Sequence, residues 1–174
     1  GFDAISLMPT NLYGPGDNYD LENSHVLAAL IKKFIIAKKE NAPSVNCWGN
    51  GSPLREFLHV NDLAEACIHV LEKWDPDKKE SPKDKNGNNL YYLNVGSGEE
   101  LSIKELAQYI ADLTNYKGKI VWDEKMPNGT HRKNLDISRI KEMGWSPKIS
   151  LESGIKKVIA DIEYKLNNLK EYKK

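Results

Sequence analysis

The sequence predicts an α/β unit in which strands and helices alternate along the chain, and three observations carry that prediction. Short apolar runs of strand length recur at residues 4–8, 45–48, 90–95 and 119–122. Between them lie stretches of helix length whose apolar residues return every three or four positions. Gly, Pro, Asn and Asp cluster at the joins, where the backbone has to turn. A chain of 174 residues, 40% hydrophobic and 29% charged, has the ordinary composition of one globular unit with a core.

Residues 4–8 form the first expected strand, which as a buried strand needs neighbours, and residues 9–18 read as a loop at its carboxyl end. Ser24 is placed to cap a helix from His25 to about Lys39 that buries Leu27, Leu30, Ile31 and Phe34 and leaves Lys32, Lys33, Lys38 and Lys39 in solvent. The strand at 45–48 turns through residues 49–53 toward Arg55. The run from Arg55 to Ala66 joins a basic residue, a buried strand and a helix start without a spacer. Asp62 and Glu65 have the spacing of a capping box, which predicts a stripe of Leu63, Ala66, Cys67, Val70, Leu71 and Trp74 on the core side, with Glu65, His69, Glu72 and Lys73 outside. Residues 75–89, charged and interrupted by two prolines and a glycine, read as a surface loop ahead of the strand at 90–95. Ser102 and Glu105 make a second capping box, opening a helix with Ile103, Leu106, Ala107 and Ile110 inside. After the strand at 119–122 and a loop at 126–132, Asp136 is the expected cap of a helix ended by Gly144. Ser150 caps the last helix, whose apolar face carries Leu151, Ile155, Val158, Ile159 and Ile162.

Composition narrows the function classes. Twenty-five basic and 25 acidic residues give zero formal net charge, so a broad electrostatic footprint for nucleic acid or for an anionic membrane is not expected. Cys47 and Cys67 make no disulfide framework; both read as packed, reduced thiols, and no metal-ligand spacing is present. No apolar run approaches the ~20 residues that span a bilayer, and Gly1-Phe2-Asp3 is not the basic start of a signal peptide, so a soluble, cytoplasmic protein is expected. Asn128-Gly129-Thr130 fits a glycosylation sequon and reads as a chance turn.

Four ordered motifs carry a resemblance: Met8-Pro9-Thr10-Asn11-Leu12-Tyr13-Gly14-Pro15, Asn23-Ser24-His25-Val26, the run from Trp48 to Val60, and Pro127-Asn128-Gly129-Thr130-His131-Arg132-Lys133. On these the chain resembles the C-terminal half of the extended short-chain dehydrogenases/reductases that act on nucleotide sugars, most specifically the GDP-L-fucose synthases. The resemblance implies one unit over residues 1–174, an α/β substrate-binding lobe with a few parallel strands and helices of an incomplete Rossmann domain. Residues 1–20 and 56–98 would then hold Rossmann-side elements, and 21–55 and 99–174 mainly the substrate lobe. A Rossmann dinucleotide site needs a glycine-rich turn after its first strand, and the family's reductase chemistry uses a Tyr-x-x-x-Lys pair; the 174 residues contain neither. The expectation is therefore a piece of a longer protein, inactive by itself.

What the resemblance implies for single residues is an NADP(H)-dependent conversion of GDP-4-keto-6-deoxy-D-mannose to GDP-L-fucose. His25 would be a general acid/base that works with a cysteine outside these residues to epimerise the carbons flanking the 4-keto group, and would also border the cofactor. Pro9, Thr10, Asn11 and Leu12 would line the nicotinamide end. Arg55 would face the GDP diphosphate, Trp48 the base or ribose, and Lys33, Asn128 and Lys133 would complete the substrate contacts. Lys33 stands where the family commonly has arginine and Asn128 where it often has aspartate, which exchanges a fork for a point charge and removes a negative charge. Without the resemblance, His25 reads as a solvated polar residue, residues 9–12 as a strand-ending turn, Arg55 as a surface arginine, Trp48 as a core tryptophan and both lysines as solvated. The family likeness also implies a homodimer. Two alternatives stand beside this reading: a non-catalytic nucleotide-sugar binding module, and a related epimerase or dehydratase acting on another nucleotide sugar. His59 and His69 are not expected to be ligands. The spatial expectation is that His25 and Arg55 face one cleft.

Overall fold

The computed structural model describes residues 3–20, 23–79 and 81–168. In chain order the elements are β1 (Ser6–Pro9), β2 (Asn11–Tyr13), α1 (Val26–Lys39), β3 (Ser44–Trp48), β4 (Leu54–His59), α2 (Val60–Lys73), β5 (Tyr92–Val95), β6 (Glu100–Ser102), α3 (Ile103–Thr114), β7 (Lys119–Asp123), β8 (Arg132–Lys133), α4 (Ser138–Glu142) and α5 (Leu151–Asn168). The α/β class is as expected. Strand pairing is parallel for β1 with β5, β2 with β4, β3 with β7 and β4 with β8, and antiparallel for β4 with β6.

β4 is the organising strand, because successive side chains of a strand leave it on opposite faces. Phe57 joins a core built from α1, β3, α3 and α5, with Phe34, Ile110 and Ile155 among its members. Leu58, the next residue, joins a second core with Ala66 and Val70 of α2, Leu93 and Val95 of β5, and Ile137, Ile140 and Trp145. The second core thus draws residues 137–145 from the range expected to be mainly substrate lobe.

Helix starts differ from expectation in informative ways. β4 runs into α2 without a break, so the N-cap is His59, whose Nδ1 accepts the Asn61 N–H. Asp62 is therefore not the cap. It lies in the first turn, is buried, and its carboxylate accepts the main-chain N–H groups of Lys148 and Ile149, pinning α2 to the segment ahead of α5. The buried face of α2 runs through Asp62, Ala66 and Val70. Cys67 is exposed, and Leu71 is 80% exposed, so both fall outside the core stripe predicted for them. His69, expected in solvent, is half-buried and its Nε2 pairs with the Met143 carbonyl.

At α1 the N-cap is His25 rather than Ser24, whose hydroxyl is buried without a hydrogen-bond partner among the described residues. At α4 the Asp136 carboxylate does accept an N–H, that of Ser138, although Ile137 is the cap residue. The capping box of α3 forms as expected: Ser102 Oγ accepts the Glu105 N–H and the Glu105 carboxylate accepts the Ser102 N–H. Ser150 Oγ accepts the Ser153 N–H at the start of α5. The loop expected over 9–18 contains β2, which exists because its partner β4 supplies the ladder that three residues could not form alone. Gly1 and Phe2, used above in the terminal reading, lie outside the described residues.

Candidate functional site

A cleft of about 450 Å³ opens at the end of β2, lined by Thr10, Asn11, Leu12, Tyr13 and the Gly14-Pro15-Gly16-Asp17 turn, with His25 and Val60 closing it. β2 supplies its floor because Asn11, Leu12 and Tyr13 pair with Phe57, Leu58 and His59 on one side only; β2 is the edge of that sheet. One side of its backbone therefore has no strand partner among the described residues, and main-chain donors and acceptors border the cleft. The Thr10 and Asn11 side chains are already committed: Thr10 Oγ1 and Asn11 Nδ2 both donate to the Glu56 carbonyl, at 3.2 and 2.8 Å. His25 enters as the N-cap residue of α1 with an exposed side chain that makes no capping bond, so its ring is held by the backbone yet free to meet a ligand. Pro9, at the end of β1 opposite Val95, is outside the cleft lining.

Lys33, Trp48, Arg55, Asn128 and Lys133 gather in a different place. Lys33 Nζ donates to the Asn46 carbonyl and lies 5.8 Å from the centroid of the Trp48 ring, which is 55% exposed. This is a cation over an aromatic face. The Gly49-Asn50-Gly51 turn that follows is latched by Asn128, whose Oδ1 accepts the Asn50 N–H at 2.8 Å. Gly49 has φ +71°, and a Cβ there would strike that same oxygen, so both geometry and space demand glycine. Arg55 stands opposite Lys133 in the β4–β8 pairing, and Gly129 lies beside its guanidinium. Arg132, the neighbour of Lys133, is neutralised by Glu100 at 2.7 Å, whereas Arg55, Lys133 and Lys33 have no carboxylate partner among the described residues.

Arg55 is not among the residues that line the His25 cleft. The two groups meet through β4, since Thr10 and Asn11 hold the carbonyl of the residue next to Arg55.

The sequence reading gives no role to Glu56 or Tyr13 and takes His59 as a non-ligand. Glu56 is 1% exposed, with Oε1 accepting the Gly98 N–H and Oε2 the Leu135 N–H, at 2.8 and 3.0 Å. The signal was present in the strand alternation, because Glu56 shares a face with Leu58 and not with Arg55. Tyr13 and His59 pack edge to face at 5.3 Å behind the cleft floor. Burial pushes the Tyr13 phenol above its ordinary range, with Asp62 and Tyr109 adding to the effect, and holds the His59 imidazole below its own. Cys47 is buried as expected, and burial raises its thiol against the opposing pull of Lys33.

Comparison with known proteins gives these features a context. Residues 1–86 match the model of the NAD dependent epimerase/dehydratase family. The chain is 52% identical over 155 residues to a protein of Oryza sativa subsp. japonica named probable GDP-L-fucose synthase 1, covering 89% of this chain and 43% of that protein. It is 48% identical to the GDP-L-fucose synthase of Escherichia coli (strain K12), covering 89% and 47% respectively. The chain thus spans under half the length of these curated relatives. Among solved structures, a GDP-L-fucose synthetase from Naegleria fowleri bound to NADP superposes with a TM-score of 0.77 at 25% identity, over 94% of this chain and 48% of that one. A GDP-6-OMe-4-keto-L-xylo-heptose reductase from C. jejuni superposes with a TM-score of 0.79 at 33% identity, over 94% and 54%. Fold, motifs and sequence identity agree: the chain is similar to the NAD dependent epimerase/dehydratase family over residues 1–86, and it aligns with GDP-L-fucose synthases over most of its length.

Proposed function

We propose that this chain is the substrate-side part of an NADP-dependent epimerase/reductase that converts GDP-4-keto-6-deoxy-D-mannose to GDP-L-fucose. The observation that carries this reading is the pairing of the His25 cleft, whose floor strand β2 lies on β4, with a cationic and aromatic wall that reaches β4 at Arg55. Arg55 and Lys133, lacking carboxylate partners among the described residues, are available to the diphosphate. The exposed Trp48 ring, backed by Lys33, offers a stacking face for the base or ribose. Asn128 acts on this wall by holding the turn after Trp48.

In the cleft, His25 is one of the two proton-transfer groups that epimerisation next to the 4-keto carbon requires, since inversion needs a proton removed on one face and returned on the other and an imidazole can do either task. The edge of β2 fits the nicotinamide carboxamide, an amide that main-chain donors and acceptors can match, so Thr10, Asn11 and Leu12 would hold that end through their backbone, with Pro9 just upstream. When bound, NADPH supplies the hydride for reduction of the keto group. The remainder of the dinucleotide requires a glycine-rich turn that these 174 residues do not contain. A homodimeric, cytoplasmic enzyme is part of the same reading; among the described residues no helix is long and apolar enough to cross a membrane.

Titration of the protein with GDP and with UDP, followed by tryptophan fluorescence, tests the proposal. Saturable quenching by GDP with at least about tenfold weaker binding of UDP is expected, a difference of ~1.4 kcal/mol. Equal binding of both would reduce the reading to an unspecified nucleotide sugar, and no binding of either would remove it.

A further inference from the structure

We propose that Glu56 is a positioning residue that sets the spacing between the Thr10 and Asn11 wall of the His25 cleft and the Arg55 and Lys133 cations, an inference that rests on the nucleotide-sugar reading of that site. The side chain is 1% exposed and shares a strand face with Leu58, a place where an aliphatic residue would pack without penalty. A carboxylate is costly to bury unless its oxygens are satisfied. No cation pairs with it among the described residues, in contrast to Glu100, which has Arg132. Its partners are backbone N–H groups from two distant segments: Gly98, in the turn between β5 and β6, and Leu135, two residues beyond β8. A Cβ on Gly96 would collide with Oε1, so the turn closes onto the carboxylate only because residue 96 is glycine.

The consequence for the candidate site follows from register. β8 contributes only Arg132 and Lys133 to the ladder, opposite Leu54 and Arg55. Beyond Lys133 the backbone pairing stops, and the next anchor to β4 is the bond from Leu135 N–H to Glu56 Oε2. The carboxylate thus continues the β8 register by side chain and fixes Lys133 against Arg55. Along the edge of β4 that β8 and β2 share, the Glu56 carbonyl holds Thr10 Oγ1 and Asn11 Nδ2. One residue joins the cofactor-side floor, the phosphate-side cations and the β5–β6 turn.

Glu56→Gln tests this in the intact protein. The amide keeps the shape but must turn an NH2 toward one of the two N–H donors, so one anchor is lost. With far-ultraviolet circular dichroism unchanged, GDP affinity should fall about tenfold, and its salt dependence should weaken as the cations lose their common target. Arg55→Ala, expected to cost about tenfold alone, should cost less than about twofold in the Glu56→Gln background, because the two act through one geometry. Wild-type binding of GDP together with Glu56→Gln affinity within twofold, or an undiminished Arg55→Ala penalty, would overturn the positioning role alone. Failure of the wild type to bind GDP would instead overturn the nucleotide-sugar reading on which it rests. If Glu56→Gln does not fold, Glu56→Asp, which keeps the charge but cannot reach both amides, should show the same reduced Arg55→Ala penalty; an undiminished penalty there would equally refute the role.

Discussion

At the scale of single residues, the two histidines near the cleft are separated by burial rather than by chemistry. His25 is exposed at the opening of α1 and faces the cleft, which suits a group that must exchange protons with a ligand. In the complete enzyme His25→Ala should lower epimerisation by ~10²–10⁴ while leaving cofactor affinity intact, and normal epimerisation in that variant would discard the assignment. His59 is 2% exposed, its Nδ1 is occupied by the Asn61 N–H and its Nε2 has no partner among the described residues. Burial lowers its proton affinity; Asp62 opposes and Lys157 reinforces that effect. The unfolded chain takes up this proton near the ordinary imidazole value of ~6.5, whereas the folded chain resists it to lower pH. Stability contributed by the neutral ring is therefore complete above that value and is lost as pH falls through the depressed folded value. His59→Asn puts an amide oxygen at the Nδ1 position, so it keeps an acceptor for the Asn61 N–H and does not titrate. Its urea midpoint should accordingly vary less between about pH 7 and about pH 5 than that of the wild type, and identical slopes would refute the burial argument.

At the scale of elements, what the sequence made legible depended on whether a feature was local. The capping box of α3 needs only Ser102 and Glu105, and it formed as read. Ser102→Ala should destabilise the protein by about 1 kcal/mol in urea unfolding, and a loss below about 0.3 kcal/mol would show that α3 is held by packing alone. Asp62 and Glu65 have comparable spacing, yet the cap lies three residues earlier, because the strand feeding α2 extends to His59 and the Asp62 carboxylate is drawn to the backbone of residues 148 and 149. That competition comes from 86 residues away and leaves no local trace. The same holds for β2, which exists through β4, and for the exposure of Cys67 and Leu71, which depends on the rotation of α2 that Asp62 helps to fix. Within the site, His25 and the residues from Thr10 to Leu12 could be brought together from motif order alone. The place of Arg55 opposite Lys133 could not be read that way, since it depends on strand register.

At the scale of the whole molecule, the two cores are coupled because they share a wall. Phe57 and Leu58 are adjacent on β4 and enter different cores, so neither core can lose its β4 contacts while the other keeps a fixed strand. Two further links cross between them. Asp62 ties α2 of the second core to the backbone leading into α5 of the first, and Tyr13 of the first core packs against the His59 ring at the start of α2. A molecule built in this way should unfold cooperatively despite its two clusters of apolar side chains. Trp122, packed against the first core, and Trp145, buried in the second, provide separate reporters. In variants retaining one or the other as the fluorescent residue, urea transitions should coincide in midpoint and in slope. Leu58→Ala, which opens the second core directly, should destabilise by about 2–5 kcal/mol and shift both reporters together. A shift confined to Trp145, with Trp122 unmoved, would show that β4 separates two independently folding units, and the candidate site that spans this strand would then lack the rigid support assigned to it here.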